Sequence, residues 1–134
     1  MSGELYSDYM QREPHPRNAV FIKRWHRKLL TLALEDLRQK PKSVLEIGPG
    51  HGYFAEHCRA AGFAYEFCDT SPAVYSKMNE LGYRGHLGLI QDLATKLGKY
   101  DMIWMSHVLE HSPTWLAARD TVSTCQELLS DEGF

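Results

Sequence analysis

Apolar positions along the chain fall into two rhythms. Ile22, Trp25, Leu29, Leu30, Ala33 and Leu37 recur at spacings of three and four. This predicts a helix from about Ala19 to Gln39 with one apolar stripe packed on a sheet. Asn18 is its expected N-cap and Pro41 its stop. Val44, Leu45 and Ile47 then make a short buried strand, closed by the turn Gly48-Pro49-Gly50-His51-Gly52. Tyr53 to Ala61 reads as a helix stopped by Gly62, and Ala64 to Cys68 as a second strand. A helix from Pro72 to Leu81 ends at Gly82. A short edge strand is expected near 84–87, followed by a loop. Tyr100 to Met105 is almost continuously apolar, as in a central strand of a parallel sheet buried on both faces. Pro113 to Leu129 closes the pattern as a helix. Residues 1–17 show neither rhythm, and their sizeable apolar groups are Tyr6, Tyr9 and Met10. Such a segment is either a frayed terminus or a flap over a site.

Composition narrows the class. The chain has 134 residues, room for one domain and one core. No apolar run approaches the ~20 residues of a membrane span, and Met1 to Tyr6 lacks a basic-then-apolar signal pattern. Cys58, Cys68 and Cys125 are scattered and odd in number, which reads as reduced, buried thiols in a cytoplasmic protein. Charge is uneven. Residues 1–42 carry nine basic and five acidic side chains, and residues 43–134 carry six and twelve. The basic part either attracts an anionic substrate or, the blander reading, places Lys23, Arg24, Arg27 and Lys28 on a solvated helix face. There is no clear nucleic-acid signal.

Strand, glycine turn and helix open a nucleotide-binding βαβ unit. The turn needs glycine because a side chain would keep a ligand off the backbone, and because some positions call for positive φ. It is not a dinucleotide turn: Tyr53 stands where the third glycine of G-x-G-x-x-G belongs. Glu46, two residues ahead of Gly48, suits a ligand with a positive end and no pyrophosphate. Glu46 to Gly52 thus resembles the first motif, E/D-x-G-x-G-x-G, of the class I (Rossmann-like) S-adenosylmethionine-dependent methyltransferases. Asp69 follows Gly50 by 19 residues, at the end of the second strand. An acid there can accept both ribose hydroxyls, or it simply caps the next helix. A third match is Tyr100-Asp101-Met102-Ile103 followed by Val108-Leu109-Glu110-His111, which is similar to the family's fourth-strand segment.

The resemblance implies an α/β, doubly wound parallel sheet with helices on both faces. It would be incomplete here, with about four strands in the order 3-2-1-4. Residues 1–42 would be an N-terminal flap and helix, with Tyr6 and Tyr9 available to cover the cofactor. Residues 43–134 would be the cofactor-binding domain, ending before a fifth strand. The chain is then the N-terminal part of a longer methyltransferase or a short protein completed by a partner. Strand 4 would be left as an uncovered apolar edge open to self-association. The cofactor implied is S-adenosyl-L-methionine, and the partner a small-molecule methyl acceptor.

Its contacts would come from Glu46 (the ammonium), Gly48, Pro49, Gly50 and Gly52 (the methionine part), and Asp69 with Thr70 (the ribose). Met105 and Ser106 would stand on the methyl side. Many family members bond adenine through an acid after the third strand, but Leu89 stands near that place, with Gln91 and Asp92 following, so this contact is unassigned. Where the acceptor needs a base, His107 and His111 are the catalytic candidates. His107-x-x-Glu110-His111 also spells an inverted zinc-peptidase signature, with both histidines on one face if the segment is helical. A zinc hydrolase and a non-catalytic Rossmann-like binding or partner subunit are therefore the alternatives, and a nicotinamide dehydrogenase is disfavoured by Tyr53 and Glu46.

Overall fold

The computed structural model describes residues 16–35, 37 and 40–134. Helix α1 (Pro16–Glu35) precedes β1 (Ser43–Ile47), α2 (Tyr53–Ala61), β2 (Ala64–Asp69), α3 (Pro72–Glu80) and β3 (Arg84–Leu87). The short α4 (Ile90–Leu93), β4 (Met102–Met105), a 3-10 turn (Leu109–His111) and α5 (Trp115–Leu128) complete the chain. The four strands pair in parallel in the order β3-β2-β1-β4. This is the expected α/β, doubly wound arrangement.

The period-two alternation of β1 splits the core. Leu45 and Ile47 pack with Cys68, Ile90, Leu93, Tyr100, Cys125 and Leu128, beneath α4 and α5. Val44 faces the other way, with Phe54, Cys58, Met102 and Leu30, beneath α1 and α2. Phe67, Val74, Met78 and Tyr83 extend that second face beneath α3. Gly85 makes room there, since a Cβ on it would stand 2.2 Å from the Phe67 ring. The three cysteines are buried free thiols.

Several expectations at element ends are corrected. Helix α1 starts at Pro16, so Asn18 lies inside it and is not its cap. Proline fits the first helical turn, where its missing N–H costs nothing. The helix ends at Glu35, well before Pro41, and a 3.4 Å bond from Leu37 N to Leu34 O tightens the exit. Its buried face centres on His26 and Leu30, which turns Trp25 outward, 49% exposed. Lys23 pairs with Glu56 at 3.0 Å, both side chains still partly exposed to solvent. Tyr6 and Tyr9 lie outside the described residues.

The stretch after β3 contains α4 where a loop was expected. Strand β4 begins at Met102, and Tyr100 instead forms an isolated parallel bridge with Leu129. Nor is β4 a strand buried on both faces: Met102 is buried but Ile103, Trp104 and Met105 are half-buried. Its outer edge is hydrogen-bonded at its start, where Ile103 is the strand residue involved. Ser130 N donates to Tyr100 O, Phe134 N to Asp101 O and Ile103 N to Phe134 O, at 2.8–3.0 Å. Asp101 fastens the strand starts together, its Oδ2 accepting from Lys42 N and Ser43 N and its Oδ1 from Ser130 Oγ.

Candidate cofactor site

The winding reverses between β1 and β4, and a cleft opens beyond the carboxyl ends of the strands, where ligands bind in open α/β sheets. It measures about 690 Å³. Gly48 floors it, Asp69 and Thr70 form one wall with Gly88 to Gln91, and His107 to Pro113 with α5 form the other.

The glycine turn behaves as its sequence requires. Gly48, Gly50 and Gly52 have φ of 69°, 55° and 79°, a region that side-chain-bearing residues avoid. Space is short as well, since a Cβ on Gly52 would meet Met78 Sδ at 2.9 Å. Pro49 is buried, and its carbonyl accepts the Gly52 N–H at 2.9 Å. The turn is thereby held open-backed at the end of β1.

Asp69 ends β2, 7% exposed, and its Oδ1 accepts the Ser71 N–H at 2.7 Å. Burial raises its pKa, while the backbone N–H groups of Ser71 and Thr70 oppose the rise. The cap of α3 is Ser71, whose hydroxyl accepts from Val74 N, and not Asp69. Glu46 is 3% exposed and accepts the Tyr65 hydroxyl at 2.5 Å. Burial pushes its pKa up to about 8, the Tyr65 bond opposing and the Asp69 charge adding to the rise. It lies on the face toward α1 and α2, across the sheet from most of the cleft lining.

Met105 and Ser106 follow at the end of β4, both half-buried, and the cleft wall begins at His107. His107 has φ of 57°, a left-handed residue that turns the chain sharply after the strand. Its Nδ1 lies 3.0 Å from Glu110 Oε1. His111 ends the 3-10 turn and is exposed. His107 is outside any helix, so the one-turn spacing that would bring both histidines onto one metal is absent. Among the described residues, no three potential metal ligands converge.

The sequence did not single out Gln91 for a role. Its Nε2 donates to Thr121 Oγ1 at 2.8 Å, and both residues line the cleft. Its Oε1 is buried without a hydrogen-bond partner among the described residues.

A family model for a methyltransferase domain matches residues 17–134. The chain belongs to the methyltransferase-domain family. No curated protein matches its sequence. Among solved structures, it is similar to a SAM-dependent methyltransferase from Archaeoglobus fulgidus, with a TM-score of 0.71 and 17% identity over 97% of this chain and 54% of that one. It is also similar to the N-methyltransferase NodS from Bradyrhizobium japonicum, solved with S-adenosyl-L-homocysteine: TM-score 0.67, 21% identity, 81% of this chain and 56% of that one. A third is CalS10, a SAM-bound amino pentose methyltransferase from Micromonospora echinaspora: TM-score 0.66, 21% identity, 90% and 54% coverage. The chain spans about half the length of these proteins. Among the described residues, no helix is long and apolar enough to cross a membrane.

Proposed function

We propose that the chain binds S-adenosyl-L-methionine and serves as the cofactor-binding part of a transferase that methylates a small molecule. The observation that carries this reading is one cleft whose lining brings together Gly48, Asp69, Thr70 and Gln91 at the carboxyl ends of the strands. The donor set fits that cofactor. Asp69 and Thr70 would hold the ribose, Gln91 Oε1 would accept from the adenine amino group, and the backbone of Gly48 to Gly52 would seat the methionine part. Glu46 would meet the ammonium. Bound there, the cofactor supplies an electrophilic methyl group on a sulfonium.

The protein's own share is mainly alignment, since fixing two reactants in line lowers the barrier by several kcal/mol, up to about 10. Met105 and Ser106 would border the methyl side. His107 and His111 at the cleft rim would take a proton from an acceptor that must lose one. A cytoplasmic setting agrees with the buried free thiols.

Calorimetric titration of S-adenosylmethionine into the chain, beside Asp69→Ala, tests the reading. One-to-one binding weakened by the substitution is expected. A folded chain whose binding is indifferent to Asp69→Ala overturns the assignment of the ribose site.

A further inference from the structure

The chain leaves β4 through His107, whose φ of 57° is uncommon for a residue with a side chain. Such a backbone persists only where its surroundings hold it, and it clusters at active and ligand-binding sites. Here it brings the chain over the glycine turn. A Cβ on Gly48 would stand 3.0 Å from Val108 Cγ2, so the residue after His107 packs directly on the first glycine of that turn. The 3-10 turn follows, closed by His111 N to Val108 O and Ser112 N to Leu109 O at 3.1 Å each. It fixes Glu110, whose Oε1 lies 3.0 Å from His107 Nδ1. His107, Val108, Glu110 and His111 all line the cleft.

The pairing has a direction. Its own backbone N–H holds the Glu110 carboxyl below its ordinary value against desolvation, helped by the His107 bond and by the charges of His107 and His111. An ionised carboxylate only accepts, so the hydrogen between the two groups sits on His107 Nδ1. The lone pair of the neutral ring is then on Nε2, the reverse of the tautomer that a free histidine side chain favours. Both side chains stand at the cleft rim, 85% and 52% exposed, where such a pair adds little to stability. What the pair does set is which ring nitrogen is free. A base held by a carboxylate on its far nitrogen is the arrangement that proton transfer uses.

We propose that Glu110 is a positioning residue: it holds His107 with Nε2 as the free nitrogen, and His107, rather than His111, takes the proton from the methyl acceptor. This deepens the transferase reading and rests on it. On that reading Gly48 seats the methionine part and Ser106, the residue before His107, borders the methyl side. His107 stands between Ser106 and the Val108 contact with Gly48, beside the reacting carbon. The arrangement serves an acceptor whose reacting atom still bears its proton. In the transfer, a lone pair of that atom forms the bond to the methyl carbon, and the C–S bond breaks with its electron pair left on a neutral thioether. The acceptor's proton passes to His107 Nε2 and on to solvent, while the Glu110 carboxylate faces the imidazolium across Nδ1.

The test is NMR of the 15N-labelled chain, with the His107 ring signals assigned through His107→Gln. At about pH 9, where imidazoles are neutral, His107 is expected to carry its hydrogen on Nδ1, in about fivefold excess or more over the other tautomer. Glu110→Ala should return the ring to a mixture with the melting temperature unchanged. A Glu110 that only held structure would move the melting temperature and leave the tautomer alone. A wild-type His107 without the Nδ1–H excess, or a Glu110→Ala chain that keeps it, overturns the proposal. The second arm, near neutral pH, compares S-adenosylmethionine with S-adenosylhomocysteine, which differ by the methyl group and its positive charge. The His107 Nε2 signal should differ between the two complexes, and by more than the signals of His111. Equal His107 signals, with the Gly48 and Asp69 amides responding to both ligands, overturn the base role and leave the cofactor site standing. Silence of those amides sinks the cofactor site, and the base role with it.

Discussion

Glu46 and Glu66 occupy adjacent strands of one sheet, and their surroundings differ. Glu66 accepts the Tyr100 hydroxyl at 2.8 Å and His86 Nε2 at 2.9 Å, with Arg84 Nε at 3.5 Å. Burial pushes its pKa up, but these partners outweigh burial and leave it below the ordinary carboxylate value. Glu46 is more deeply buried and is given the Tyr65 hydroxyl and the nearby Asp69 charge, so burial wins and its pKa climbs to about 8. Glu66 is a carboxylate completed by its own fold, at the amino end of the strands. Glu46 has the Tyr65 hydroxyl as its hydrogen-bond partner and no cation beside it among the described residues. The difference sets opposite pH behaviour, and on the proposed reading it separates an acid that holds structure from one that meets a ligand.

The largest expected effect is that pH behaviour. Between the ordinary 4.5 and about 8, the folded chain keeps a proton on Glu46 that the unfolded chain loses. The unfolding free energy therefore falls as pH rises, by up to about 1.4 kcal/mol per unit, and levels off above about pH 8. Glu66 runs the other way, its contribution present above the ordinary carboxylate value and lost as pH falls through its lowered one. Urea unfolding at several pH values, with Glu46→Gln beside the wild type, separates the two: the variant should lose the decline between about pH 5 and 8. Parallel curves would show that Glu46 is ionised in the empty protein. A bound ammonium should drive the proton off Glu46, so S-adenosylmethionine affinity should rise toward pH 8 in the wild type and not in the variant.

Next in size are two substitutions that should divide the carboxylates by role. Asp69→Ala is expected to weaken S-adenosylmethionine on the order of 100-fold, through loss of charge-assisted hydrogen bonds, while barely moving the melting temperature. Glu66→Gln should lower stability by about 1–2 kcal/mol, a modest figure because the site is partly solvated, with cofactor affinity unchanged. Calorimetry and thermal melts on both variants read this out. If Glu66→Gln also weakens the cofactor severalfold, the two ends of the sheet are not independent.

The parts of the molecule legible in sequence are those fixed locally. Gly48, Gly50 and Gly52 declare a turn because their φ values exclude other residues, and the strand order follows from parallel crossovers. Asp69 is legible because it ends a strand at a set distance from that turn. Trp25 misled because three-and-four spacing fixes a stripe but not which flank meets the sheet. Gln91 was invisible because an unpaired atom is a property of the packed surroundings, and Thr121 comes from a distant segment. The hydrogen bonds at the start of the outer edge of β4 likewise come from residues 130–134.

The smallest effect is the sharpest test of the comparison, because one hydroxyl can be deleted at each carboxyl. Tyr65→Phe removes the donor to Glu46, and Tyr100→Phe removes one donor among several around Glu66. Each should cost about 1 kcal/mol of stability. Their consequences for the cofactor should diverge. The Tyr65 bond is what holds the Glu46 pKa down against burial, so its loss should raise that pKa further. The pH at which S-adenosylmethionine affinity stops rising should then move above about 8, and affinity at pH 7 should fall a few-fold. Tyr100→Phe leaves His86 and Arg84 on Glu66, so the pH profile of cofactor binding should stay where it is. Calorimetric titrations at pH 6, 7, 8 and 9 on both variants decide it. A shift in both would mean that the carboxyls communicate across β1 and β2. A shift in neither would mean that the cofactor's ammonium does not meet Glu46.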